Sequence, residues 1–190
     1  MEISCSVSES HLLEGDALQR RSSRLSRKQS WDLNDTLQSS VTSALDYLCK
    51  SNEPVGEVPH ELDSASLFYS RASQSFSLDW YVERLIRRAE CSRSAFVLAL
   101  IYLLRVQDKG KEKYFVVERN VHRLFLTALV LAIKFLDEPI YDNGFYARVG
   151  GLSSLREMND LEKEMLRVLN FDVFVSEDEY DYFKAMLLTQ

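Results

Sequence analysis

From Leu124 to Leu136 the chain is apolar at every position except Thr127 and Lys134. A helix that is apolar all round belongs at the centre of a fold. This run is too short to cross a bilayer, which takes about 20 apolar residues. Around it the apolar positions keep helical spacing. Leu37, Val41, Ala44, Leu45 and Leu48 predict an amphipathic helix over 35–51, with Asn34 or Asp35 able to cap it. Pro54, Gly56 and Pro59 punctuate the stretch that follows, so this helix reads as an appendage on a linker. Ser77 can cap a helix over 78–88 whose inner face is Leu78, Tyr81, Val82 and Leu85. Ser92 can cap a mostly apolar one over 95–106. A charged turn, 107–113 with Gly110, then leads into the central helix, which must stop before Pro139.

Downstream, Asp142 or Asn143 can start a short helix that ends at the paired glycines Gly150 and Gly151. Ser154 and Glu157 form an S-x-x-E capping box for a helix ending near Asn170, with Leu155, Met158, Leu161, Met165, Leu166 and Leu169 in helical register. The acidic run Glu177–Asp181 can begin a last short helix. Nothing alternates with period two over a useful length, so the expected fold class is all-α.

The bulk numbers bound the function. A chain of 190 residues suits one core with extensions. A net charge of −6 and a pI near 5.2 disfavour nucleic acid as a partner. Cys5, Cys49 and Cys91 are odd in number and widely spaced, so neither a disulfide framework nor a CxxC metal site is expected. With no secretory signal visible, a nuclear and/or cytoplasmic location is expected. The first 33 residues are serine-rich and read as disordered. The basic run Arg20–Lys28 within them, with Ser22, Ser23 and Ser26, reads either as a solvated tail or as an import or phosphorylation segment.

Four ordered segments carry a family resemblance. They are FSLDWYVERLIRRAECS (76–92), NVHRLFLTALVLAIKFLDE (120–138), GFYARVGG (144–151) and REMNDLEKEML (156–166). In order and spacing they resemble the Pho-type cyclins, a group that includes fungal phosphate-regulatory cyclins and plant P-type (U-type) cyclins. The resemblance covers roughly 35–172 and implies a single five-helix cyclin box over 65–175, preceded by an additional N-terminal helix and linker over 34–64; it leaves the first thirty residues and the acidic C-terminal tail over 176–190 unexplained. The implied function is a non-enzymatic regulatory subunit that binds and activates a cyclin-dependent serine/threonine kinase, in cell-cycle control or nutrient signalling. No cofactor, metal, membrane, nucleic acid or small-molecule substrate is implied. The alternative is a helical adaptor on the same fold that binds a non-kinase partner such as a transcription complex.

The chain departs from the family pattern in three places. Leu103 and Leu104 stand where an acid before Arg105 is usual, so Arg105 must find another partner. A proline common near Ser73 and Gln74 is absent, and Gln74–Leu78, the stretch matching the substrate-docking patch of A-type cyclins, is mostly polar.

The resemblance also implies site residues. In cyclins a lysine ending the third box helix and a glutamate on the fifth bond backbone groups beside the kinase's mobile helix; the matching positions are Lys134 and Glu162. From the residues alone, Lys134 better suits a helix-end lysine that complements the macrodipole and snorkels to water. Glu162 on the same terms better suits a solvated face shared with Lys163 and Glu164. Leu131 and Leu166 fit either core or contact surface, whereas Phe135 and Phe171 are the better contact anchors, because aromatics dominate interface energetics.

His122 and Arg123 are expected to be structural, His122 as a satisfied, partly buried histidine. Trp80, Tyr81 and Arg84 are expected to pack the first box helix against the third. Ala147–Gly151 lacks the Gly-Lys-Ser/Thr ending and the preceding strand of a phosphate loop. No spacing supports a catalytic constellation.

Overall fold

The computed structural model describes residues 34–52, 66–70, 75–138 and 140–188. The serine-rich N-terminal segment, the 53–64 linker and the positions near Ser73 and Gln74 lie outside the described residues. Within them the secondary structure is helical throughout: α1 (34–52), α2 (Leu78–Arg88), α3 (Arg93–Gly110), α4 (Val121–Leu136), α5 (Asn143–Gly150), α6 (Leu155–Leu169) and α7 (Glu177–Leu188), with one 3-10 turn, Lys111–Tyr114, after α3.

The hydrophobic centre is α4, buried at almost every position from Val121 to Ile133. It packs along α3 and α6 and against α5; α3 also touches α6 and α7, and α2 touches α5. The polar exception inside α4, Thr127, is fully buried and donates its hydroxyl to the Arg123 carbonyl at 2.7 Å, the usual way a helix accommodates a threonine. Helix starts follow the predicted caps. The Ser77 hydroxyl accepts from Trp80 N, the Asp142 carboxylate from Phe145 N and the Ser154 hydroxyl from Glu157 N. The reciprocal half of the last box falls one residue early: Glu157 Oε2 accepts from both the backbone N (2.8 Å) and the hydroxyl (2.6 Å) of Ser153.

Three expectations are corrected. The first helix is no appendage, because Leu37, Val41 and Leu45, each one turn apart, are buried in the same core as α3 and α4. Periodicity shows that a helix has an apolar face and does not show what covers it. The charged stretch after Val106 is no turn either, and α3 continues to Gly110. Gln107 explains the extension: its Oε1 accepts from Asn52 Nδ2 (2.7 Å) and Val116 N (2.8 Å), tying the end of α1 and the post-helical segment to α3. Finally, Arg84 packs onto α5 rather than α4, its guanidinium donating to the Val149 (2.7 Å) and Arg148 (3.1 Å) carbonyls. Tyr81 does both, with its ring against His122 of α4 and its hydroxyl on the Gly150 carbonyl, while Trp80 is partly exposed.

Candidate functional site

The last turn of α4 brings Lys134 to the middle of α6, where its ammonium donates to Glu162 Oε1 at 2.6 Å. The pair is 28 residues apart in sequence and mostly covered, with side-chain exposures of 29% for Lys134 and 15% for Glu162. The other carboxylate oxygen, Oε2, accepts from Asn143 Nδ2 at 2.6 Å; the same amide nitrogen reaches Asn159 Oδ1 at 2.7 Å. Three helices therefore meet at one carboxylate. Asn143 Oδ1 is buried and has no hydrogen-bond partner among the described residues.

Side chains named from the sequence separate by exposure. Phe135, beside Lys134, is 45% exposed, and Leu136 next to it is as open. Phe171 is 71% exposed. Leu166 is half-buried and packs on the core, while Leu131, at 6%, belongs to the core itself. Of the two readings left open for Leu131, core is what its burial supports. Ile140 and Tyr141, which sequence reasoning passed over, are also exposed.

Phe171 sits in a strained turn. Asn170 and Phe171 both adopt left-handed backbone, φ +54° and +58°, in which asparagine is common and a bulky aromatic is rare. The turn closes α6 through Phe171 N donating to the Leu166 carbonyl at 2.9 Å. It is gripped from outside by one face of α3. Tyr102 donates to the Val173 carbonyl (2.7 Å), and Arg105 to the Asp172 (3.1 Å) and Phe174 (2.8 Å) carbonyls. Lys109 donates to the Leu169 carbonyl (3.0 Å) and Asp172 Oδ2 (2.8 Å). The hydrogen bond and charge of Lys109, with Arg105 nearby, hold the Asp172 carboxyl below the usual range. Arg105 finds its acid far downstream, in Glu179 of α7, at 2.7 Å. The helical spacing of Tyr102, Arg105 and Lys109 was the signal available in the sequence for this grip.

His122, at the start of α4, differs from expectation. His122 stands edge-on to Phe76 (5.2 Å) and Tyr81 (4.9 Å), and its Nε2 is buried without a partner among the described residues. Burial lowers its pKa to about 4, so the ring is neutral. Arg123 serves the fold by joining the Leu67 carbonyl (2.9 Å) to the Glu157 carboxylate. Burial alone would raise Glu157, but the Ser153 hydrogen bonds and the Arg123 charge outweigh it and hold that carboxyl low. The Ala147–Gly151 stretch is the carbonyl end of α5, and carbonyl ends repel anions. Among the described residues no cluster of three or more His, Cys, Asp or Glu could hold a metal ion, and no helix is long and apolar enough to cross a membrane.

Comparison with known proteins agrees with this architecture. The cyclin family model matches residues 19–173. The chain is 38% identical over 147 residues to Cyclin-P3-1 of rice (Oryza sativa subsp. japonica), covering 77% of this chain and 61% of that protein. It is 33% identical over 147 residues to Cyclin-U4-1 of Arabidopsis thaliana, covering 77% and 72%. With Cyclin-P4-1 of rice it shares 38% over 153 residues, covering 79% and 71%. An all-helical core built around α4, together with a family match over most of its length, makes this chain a member of the cyclin family.

Proposed function

We propose that this cyclin is the non-catalytic regulatory subunit of a cyclin-dependent serine/threonine kinase, acting in the nucleus or cytoplasm in cell-cycle control or nutrient signalling. The observation that carries the reading is the Lys134–Glu162 pair, formed in the free chain and still partly open to solvent beside the exposed Phe135. An ion pair that keeps some solvent contact contributes only about 1 kcal/mol to a fold. The same charges, once covered by a partner, make strong charge-assisted hydrogen bonds to its backbone groups. Lysine has three donors, and Glu162 takes one of them here. Phe135 and Phe171, both exposed, supply apolar anchors, with the half-buried Leu166 adding its open part and Leu131 supporting from the core.

Activation would work by population shift. The cyclin binds better to the kinase conformation whose mobile helix is turned inward, where the kinase's own lysine–glutamate pair is set for ATP. Moving a kinase from about 1:99 to 99:1 active takes roughly 5.5 kcal/mol of differential binding. An interface of standard size, about 1,600 Å² in total, is large enough to supply that.

The test uses purified cyclin-dependent kinases, each mixed with wild type or with Lys134→Ala/Glu162→Ala, and a generic serine/threonine peptide as substrate. Stimulation by wild type, lost in the double variant with an unchanged melting profile, is the expected result. Equal stimulation by both would move the contact elsewhere. Collapse of the double variant would make the pair scaffolding, and silence of wild type with every kinase would end the kinase reading.

A further inference from the structure

Asn143 occupies the first helical position of α5, directly after its cap Asp142. Helix chemistry at that position favours an acid, because the N-terminal end of the macrodipole stabilises negative charge. The chain has an amide there instead, and only one end of that amide is used. Nδ2 donates to Glu162 Oε2 and Asn159 Oδ1, while Oδ1 is buried without a partner among the described residues. Leaving a buried acceptor unsatisfied is unfavourable, and a position that breaks the local rule and strands an oxygen has another task. A carboxylate at 143 would repel Glu162 at a 2.6 Å approach; an amide nitrogen can hold it.

Glu162 is consequently fixed at both oxygens, by Lys134 from α4 and by Asn143 from α5. A carboxylate held at one oxygen can swing about its last torsions. Held at two from opposite helices, it cannot, and the Lys134 ammonium is located with it. We propose that Asn143 is a positioning residue for partner recognition, a third member of the site that sets Glu162, and through it Lys134, in the orientation the kinase backbone meets. This rests on the reading of Lys134 and Glu162 as the kinase contact.

The test is Asn143→Asp, which should separate the site from the fold. The introduced carboxyl suits the start of α5, which offsets part of its repulsion by Glu162, so melting at pH 7.5 should fall by only a few degrees, stay cooperative and recover as the pH is lowered. Against Glu162 it forms a close carboxyl pair that resists holding two negative charges. Below the raised pKa of that pair, the shared proton restores a donor to Glu162 Oε2. The expected result is kinase activation, relative to wild type at the same pH, reduced about tenfold at pH 7.5, with the deficit narrowing as the pH is lowered and the pair takes up its shared proton. Asn143→Ala, which removes the donor and adds no charge, should show a deficit of several-fold that does not vary with pH. Activation equal to wild type at every pH in both variants overturns the proposal, as does an Asn143→Asp deficit that never recovers.

A second readout needs no kinase. The Glu162 carboxyl carbon, followed by NMR in the free chain, should titrate at higher pH in Asn143→Asp than in wild type; an unchanged titration overturns the coupling. Activation surviving in Lys134→Ala/Glu162→Ala would defeat the placing of the kinase contact instead, a result the carboxyl titration does not share.

Discussion

Arg105 on α3 and Glu179 on α7, 74 positions apart, are joined by a 2.7 Å ion-paired hydrogen bond. The arginine that follows Leu103 and Leu104, with no acid beside it, thus takes its carboxylate from the last helix. α7 is fastened twice more: Tyr180 and Ser94 share a 2.9 Å hydroxyl contact, and Leu187 is buried in the core. The acidic C-terminal run belongs to the fold.

Arg105→Ala should therefore destabilise the protein by about 2–4 kcal/mol, since it removes charge-assisted bonds to two carbonyls and a carboxylate. Glu179→Gln, which keeps a hydrogen-bond acceptor, should cost about 1 kcal/mol. Denaturant titration measures both, and hydrogen exchange should rise first in α7. A loss below about 0.5 kcal/mol for Arg105→Ala, the range of an ordinary surface change, would contradict the structural role.

The Lys134–Glu162 pair, covered to a similar degree, should matter less to the fold than to a partner. A double-mutant cycle on the free chain should give a coupling of about 1 kcal/mol or less, as for other partly exposed pairs. Measured on affinity for the kinase, truncating either residue should cost about 2–5 kcal/mol. Coupling that is large in the free chain and absent in the complex would reverse the assignment.

His122 gives a pH dependence with a definite sign. An unfolded histidine titrates near pH 6.5, whereas the buried ring stays neutral down to about 4. Between those values the unfolded chain binds a proton that the folded chain does not, so stability is complete above about pH 6.5 and declines as the pH falls toward 4. Because the ring is partly exposed, a discounted loss of about 1–2 kcal/mol is expected. His122→Phe should be flatter than wild type across that window in pH-resolved melting, and parallel curves would refute the assignment.

The adjacent glycines at the end of α5 should fail for different reasons. A Cβ on Gly150 would collide with Leu126 Cδ2 and lie 2.9 Å from its Cγ, against a buried side chain. Gly150→Ala should cost about 1–3 kcal/mol as overpacking. Gly151 has open space around it but a φ of +75°, so Gly151→Ala should cost about 1–2 kcal/mol through backbone strain alone. Leu126→Ala should rescue part of the first and none of the second.

Leu45→Ala probes whether α1 is integral. Leu45 is fully buried, and emptying its site should cost about 2–5 kcal/mol. An appendage would lose its own helicity and leave the global transition in place; a single cooperative transition at lower denaturant is expected instead.

Local pattern carried most of the fold. The run from Leu124 to Leu136 names α4 because nothing else hides a surface apolar on all sides, and Ser77, Asp142 and Ser154 mark helix starts because capping is local chemistry. The site was less legible. Lys134 and Glu162 are 28 residues apart, and no periodicity on either helix points to the other; the family resemblance alone paired them. Leu131 and Phe135 are one turn apart on the same helix, yet one is core and the other surface. What separates them is the depth to which neighbouring helices reach along α4, a tertiary fact. Asn143 carried a faint signal, an amide where a helix start favours acid, but its partner lies 19 positions downstream. The length of α3 was hidden because Gln107 looks like a loop residue until Asn52 and Val116 are seen to need it.

The immobilised ammonium of Lys134 bears on the timing of molecular encounter. A free lysine surrenders about 1.5–2 kcal/mol of rotamer entropy when it is fixed. Here that ordering is completed when the chain folds, so it is not repeated each time a partner arrives. The pair is also neutral as a unit and exerts little long-range pull. Its contribution should therefore appear as slower dissociation, with an association rate nearly indifferent to salt.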